Sequence, residues 1–93
     1  KKKINIDKLL SVISNGAAQS WQLENRAKTM WEGKFNFGFM NKLMLKDLKL
    51  VSKELNKSQL KLPITKRIMQ YYKTLIKLGY GKEDTSNLIR LLK

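Results

Sequence analysis

A lysine and an aspartate stand side by side at positions 46 and 47, inside a helically spaced apolar run from Met40 to Leu55. An ammonium can hold an anion and a carboxylate can orient a donor, and neither belongs on an apolar helix face without a reason. At roughly 100° per residue, Asp47 falls between Met40, Met44 and Val51, in the middle of that face. It is therefore expected to pair with a basic side chain, to meet the amides of a neighbouring helix end, to sit at an opening in the core, or to be kept there by function. Lys46 lies at the border between this face and a basic stripe of Lys42, Lys49 and Lys53. Position alone makes it a surface lysine, but its stem, flanked by Phe39 and Leu50, can run along apolar surface and offer the ammonium to an anion in a cleft.

Two other places carry chemical potential. Asn15-Gly16-Ala17-Ala18-Gln19-Ser20 is a small-residue turn leading into a helix, where free amides and the Ser20 hydroxyl can receive an anionic or hydroxylated ligand. The plainer reading is a helix-turn-helix corner with Ser20 in the first turn. Phe35, Phe37 and Phe39, with Trp21 and Trp31, can stack on a planar ligand, although aromatics at helix junctions commonly serve as core. The chain has no His and no Cys, which excludes a thiolate nucleophile, a disulfide, a His- or Cys-based zinc site and a Ser-His-Asp triad. The carboxylates are too scattered to pair as acid and base, and no glycine-rich phosphate loop follows a strand.

The elements that must position these groups are helices. Gly, Pro and Asn divide the chain into five stretches, four of which carry helical rather than alternating periodicity. The first helix is expected from Asn5 or Asp7, with Ile6, Leu9, Leu10 and Ile13 on one side and Asn15-Gly16 as its stop, the glycine left-handed. The second runs from about Ala18 to Met30 and ends at Gly33. A third, from about Phe39 to Leu55, has Met40, Leu43, Met44, Leu48, Val51 and Leu55 as its apolar face. Pro63 suits the first turn of a fourth, closed by Gly79-Tyr80-Gly81, and a last segment starts at Glu83 or Asp84. The expected architecture is all-α: a bundle or array of about five helices in a single domain over residues 1–93, without repeats or internal linkers.

Size and charge bound the function. At 93 residues the chain is too short to hold a dinucleotide-binding sheet domain together with a second domain. Its 20 Lys and Arg against 7 Asp and Glu give a net charge of +13, a possible footprint for nucleic acid or an acidic surface. Against this, nearly all of the cations are lysines spread over every segment, which is the pattern of a solvated surface. No apolar run approaches a membrane span or a secretory leader, so a cytoplasmic location is the default expectation.

The motifs, taken together, resemble the C-terminal helical domain of the β-hydroxyacid dehydrogenase family, the group of 3-hydroxyisobutyrate dehydrogenase, tartronate semialdehyde reductase and glyoxylate/succinic semialdehyde reductase. The most specific stretch is Phe35-Asn36-Phe37-Gly38-Phe39 followed by Leu43-Met44-Leu45-Lys46-Asp47-Leu48, similar to the family's F-x-P-G-F and L-x-x-K-D-L. Asn15 to Ser20, Leu62-Pro63, Gly79-Tyr80-Gly81, Asp84 and Ser86 support it in the right order, while Phe37 replaces the usual Pro. The resemblance implies a fold like the C-terminal domain of 6-phosphogluconate dehydrogenase-like enzymes, closing over a Rossmann domain that binds NAD or NADP. It also implies that Lys46 lies against the cofactor, that Asp47 and Phe39 support the cleft, and that Ser20 borders the substrate pocket. The family's glycine-rich cofactor loop, substrate-binding glycine signature and catalytic lysine have no counterpart here. The expectation is thus a fragment, inactive alone, of an enzyme acting on a small hydroxyacid or semialdehyde and assembling as a homo-oligomer through this domain. The competing expectation is a small basic helical module that binds nucleic acid or only oligomerises.

Overall fold

Where each helix begins is decided by which side chain or carbonyl satisfies its first amides. In the computed structural model, which describes residues 4–92, the first helix, α1 (Ile6–Ile13), is capped by the Asn5 side chain accepting from the Lys8 amide at 3.1 Å. The second, α2 (Trp21–Glu32), is capped by Ser20, whose Oγ accepts from the Leu23 amide at 3.0 Å. Gly33 ends α2 in the left-handed conformation, φ 73°, as a residue without Cβ can at no steric cost. Gly16 is different: α1 closes on Ser14 in a right-handed conformation, and the left-handed stop expected at Gly16 is not used. Helix α2 likewise starts three residues later than its periodicity suggests, because Ser20 serves as the cap and not as a first-turn residue.

Two compact units divide the chain. The first, residues 1–34, packs α1 against α2, with a solvent-exposed Lys28–Asp7 ion pair at 3.2 Å; neither helix holds a fully buried residue. The second, residues 35–93, consists of α3 (Asn41–Lys57), α4 (Pro63–Lys77) and a terminal 3₁₀ helix (Thr85–Leu92). Leu45 from α3 and Tyr72 and Leu75 from α4 form its core, ringed by Met44, Leu48, Ile68, Met69, Ile76, Tyr80 and Leu88. Pro63 occupies the first turn of α4, as expected. The fold is all-α with five helices and no strand among the described residues; a lone bridge pairs Met40 with Asp84.

The buried side of α3 coincides only in part with the one that apolar spacing selects. Asn41 and Leu45 are buried, and Ser52 is partly so; of the expected face Met44, Leu48 and Leu55 are partly buried, whereas Met40, Leu43 and Val51 are exposed, as is Leu50. Two polar residues, Asn41 and Ser52, belong to the inward face and turn it away from the purely hydrophobic arc. Asp47 consequently lies in solvent among exposed apolar neighbours; its place in the middle of a core-facing apolar side is corrected, and its carboxylate needs no buried partner.

Candidate functional site

Helix α3 has no side-chain cap, so its orientation depends on what else meets its first amides. Backbone carbonyls of the 79–84 turn do so. The Asn41 amide donates to the Glu83 carbonyl at 2.8 Å and the Lys42 amide to the Gly81 carbonyl at 3.0 Å. Gly79 takes φ 97° to make that turn, and a Cβ on Gly81 would press the Ile76 side chain at 3.2 Å. The Gly79-Tyr80-Gly81 motif is therefore the cap of α3 as well as the stop of α4.

A buried polar cluster locks the same junction. Asp84 accepts from the Phe39 amide at 3.0 Å and from both the amide and the hydroxyl of Ser86, while the Thr85 amide donates to the Phe39 carbonyl at 2.9 Å. Asn41 Nδ2 donates to Asn87 Oδ1 at 3.2 Å, and Asn87 Nδ2 donates in turn to the Tyr80 carbonyl at 3.1 Å. The Arg90 guanidinium makes a bidentate pair with Glu83, at 2.8 and 2.7 Å, and lies over the rings of Tyr80 and Phe35 at 4.1 and 4.8 Å. That pairing raises the Arg90 pKa further, so it is a permanent cation. Tyr72 donates its hydroxyl to the Thr85 carbonyl at 3.1 Å; burial pushes its pKa up to about 12, against a smaller lowering influence of the Thr85 side chain. The backbone of Phe39 is thus held on both sides while its ring stays exposed.

From this clamp α3 carries Lys46 to a groove of about 450 Å³ lined by Lys42, Leu45, Lys46, Lys49, Lys73 and Ile76. All four lysines are exposed, and none of them pairs with a carboxylate among the described residues. An unpaired ammonium on an apolar floor suits a phosphate-bearing or carboxylate ligand. The residues present fit a dinucleotide in that sense. Asp47 is not part of the groove lining: it lies on the adjacent side of α3, with Met40, Leu43, Leu50 and Val51.

Ser20 belongs to the other unit, and its hydroxyl oxygen is engaged as the α2 cap. Phe35 is core, whereas Phe37, Phe39, Trp21 and Trp31 are exposed; the Trp21 ring is covered by the Arg26 guanidinium at 4.9 Å. Sequence reasoning missed Lys73, whose signal lay only in α4's own basic residues, and it missed Asn41 and Asn87, which carry no apolar periodicity. Among the described residues no cluster of His, Cys, Asp or Glu can hold a metal, and no helix is long and apolar enough to cross a membrane.

Comparison with known proteins bears on this arrangement. The family model described as NAD-binding of NADP-dependent 3-hydroxyisobutyrate dehydrogenase matches residues 1–92. An uncharacterized oxidoreductase of Shewanella frigidimarina is 42% identical over 86 residues, covering 92% of this chain and 30% of its own. The L-threonate dehydrogenase of Haemophilus influenzae is 32% identical over 91 residues, covering 98% of this chain and 30% of its own. A crystal structure of 3-hydroxyisobutyrate dehydrogenase from Salmonella typhimurium superposes with a TM-score of 0.81 at 28% identity, over 95% of this chain and 31% of that one. The chain thus spans about 30% of the length of the curated relatives it matches.

Proposed function

The chain belongs to the family described as NAD-binding of NADP-dependent 3-hydroxyisobutyrate dehydrogenase, and we propose that it is the helical cofactor-covering and substrate-side domain of a longer NAD(P)-dependent hydroxyacid or semialdehyde oxidoreductase. The observation that carries this reading is Lys46, exposed and without a carboxylate partner at the edge of an apolar-floored groove, on a helix clamped at its N-terminus. When bound, the nicotinamide supplies hydride transfer. This chain's part is to bind and orient: Lys46 offers its ammonium to the cofactor, and the pinned Phe39 presents its ring to the cleft. Asp47, amid exposed Met40, Leu43, Leu50 and Val51, supports a flank that a second surface covers. Ser20 stays in the reading as a pocket-border residue acting through its turn, because its hydroxyl oxygen already caps α2.

The reading extends to assembly and place. Ile64, Tyr71 and Leu78 recur every seven residues on α4 and its cap and are all exposed, a stripe that supports homo-oligomerisation through this domain. On this reading the longer enzyme acts in the cytoplasm. Because several relatives are named L-threonate dehydrogenase, a small sugar acid of that kind is the first substrate to try. The test is an assay of the longest natural polypeptide containing this chain with NAD and NADP against L-threonate, 3-hydroxyisobutyrate and semialdehydes. Cofactor-dependent turnover of any of them supports the reading. A natural product of only this length, with no turnover, overturns it.

A further inference from the structure

Hydroxyl side chains inside a helix commonly give their proton to a carbonyl three or four residues back, and in this chain Ser11, Thr29 and Thr74 do so, at 2.7, 3.0 and 3.0 Å. Ser52, partly buried on α3, does not. It turns its Oγ across to Met69 Sδ on α4 at 3.4 Å, and a thioether sulfur is a weak acceptor. The hydroxyl therefore carries a proton that an oxygen acceptor takes more strongly. Both side chains line a cavity of about 290 Å³ between the C-terminal part of α3 and α4, close to the lower end of the roughly 300–1,000 Å³ of ligand pockets. The connection between the two helices is shaped to supply one wall. The Gln59 amide donates to the Asn56 carbonyl and the Leu60 amide to the Leu55 carbonyl, both at 3.1 Å, the paired bonds that end a helix on a left-handed residue. Gln59 holds that position at φ 59°, where a glycine would sit at no steric cost, and the turn brings Leu60 back towards Leu55. Leu55, Leu60, Leu62 and Met69 form the apolar lining, and Lys73 is the one residue shared with the groove at Lys46. A bare inorganic anion leaves this apolar wall unused, whereas a hydroxyl donor beside the Lys66 and Lys73 ammoniums favours an acceptor oxygen that carries negative charge. We propose that this cavity is a separate binding site for a small carboxylate with an apolar body of about six to eight carbons, the size that about 290 Å³ encloses, whose oxygen accepts from Ser52 in place of Met69 Sδ.

The site stands whether or not the longer protein is a dehydrogenase. The test is an amide NMR titration of the 93-residue chain with octanoate and, separately, with butyrate, at about 0.15 M salt to screen the diffuse positive field. Octanoate is expected to saturate with a dissociation constant of about 1 mM or below, with shifts confined to residues 52–62 and 66–73. Butyrate, with the same head and several fewer methylenes, should bind at least about tenfold more weakly, because the apolar wall supplies most of the affinity. Ser52→Ala should weaken octanoate about fivefold or more by removing the donor. Leu60→Asn/Leu62→Asn should weaken it about tenfold or more, whereas Leu78→Asn, at an exposed apolar position outside the cavity, should change it less than about twofold. Variants are compared at unchanged helical circular dichroism, and Ser52→Ala, which puts a better helix former on α3, decides the matter if the double variant does not fold. Equal affinities for octanoate and butyrate, shifts spread over the whole chain or centred on residues 42–49, no saturation, or undiminished binding by Ser52→Ala overturn the site. Failure of the dehydrogenase reading shows separately, as absent turnover by the longest natural polypeptide with octanoate binding intact.

Discussion

Asp84 does more than any other single side chain to set the geometry of the clamp. It is fully buried and accepts from the Phe39 amide, the Ser86 amide and the Ser86 hydroxyl, tying the residues just before α3 to those that open the 3₁₀ helix. Removing the carboxylate leaves buried donors without acceptors, so Asp84→Ala should cost about 3 kcal/mol, read from the urea midpoint at constant slope. Tyr72 offers a second test. Its folded pKa of about 12 lies above the ordinary 10.0, so the fold favours the neutral phenol. Its contribution is fully present below pH 10 and is lost as pH rises towards 12, at up to about 1.4 kcal/mol per pH unit. Tyr72→Phe, lower in stability by about 1 kcal/mol at neutral pH for its lost bond to Thr85, should lack that alkaline loss in a pH series of chemical denaturations.

Helix existence was readable in the sequence because caps and breakers are local: Asn5, Pro63 and Gly33 act where their chemistry says they should. The inward side of α3 is readable only in part: Met44, Leu48 and Leu55 lie on it as their spacing says, and its polar members do not follow from that spacing. Hydrophobic spacing cannot anticipate that Asn41 finds Asn87, 46 residues away, or that Ser52 turns its hydroxyl to Met69 Sδ at 3.4 Å on α4. The arc that follows from apolar residues alone placed Asp47 inside, whereas long-range polar pairing places it in solvent. The Lys46-Asp47 motif stands out in the sequence as an anomaly of pattern, whereas the groove beside Lys46 exists only because α4 brings Lys73 alongside. Truncation measures the helix's true orientation: Leu45→Ala should cost about 3 kcal/mol and Val51→Ala less than about 1 kcal/mol, and the reverse order would restore the hydrophobic-arc reading. Ser20→Ala should lower stability by about 1 kcal/mol through loss of the α2 cap; a fall in kcat/KM of the longer enzyme beyond that expected from reduced folding would give Ser20 a role at the substrate.

As a whole the molecule presents a basic, incompletely covered surface whose most exposed apolar side chains include Ile64 and Leu78, 75% and 61% accessible. Such a surface fits a domain that is completed by other parts of a longer protein or by a second copy. Ile64→Glu with Leu78→Glu should shift the longer protein toward monomer in sedimentation equilibrium if α4 forms the subunit contact, and should leave its association unchanged if it does not. The net charge of +13 does not by itself mark a nucleic-acid binder, since its ordered concentration is a four-lysine groove and not a recognition helix rich in Arg, Asn and Gln. If this domain lends Lys46 to a nicotinamide cofactor, the cofactor KM and kcat of the longest natural polypeptide carrying Lys46→Ala, measured beside the unaltered protein, must show it. A rise of about tenfold in cofactor KM, or an equivalent fall in kcat/KM, is the predicted result. Unchanged kinetic constants for the cofactor, in a variant that folds as stably as the parent, would contradict it.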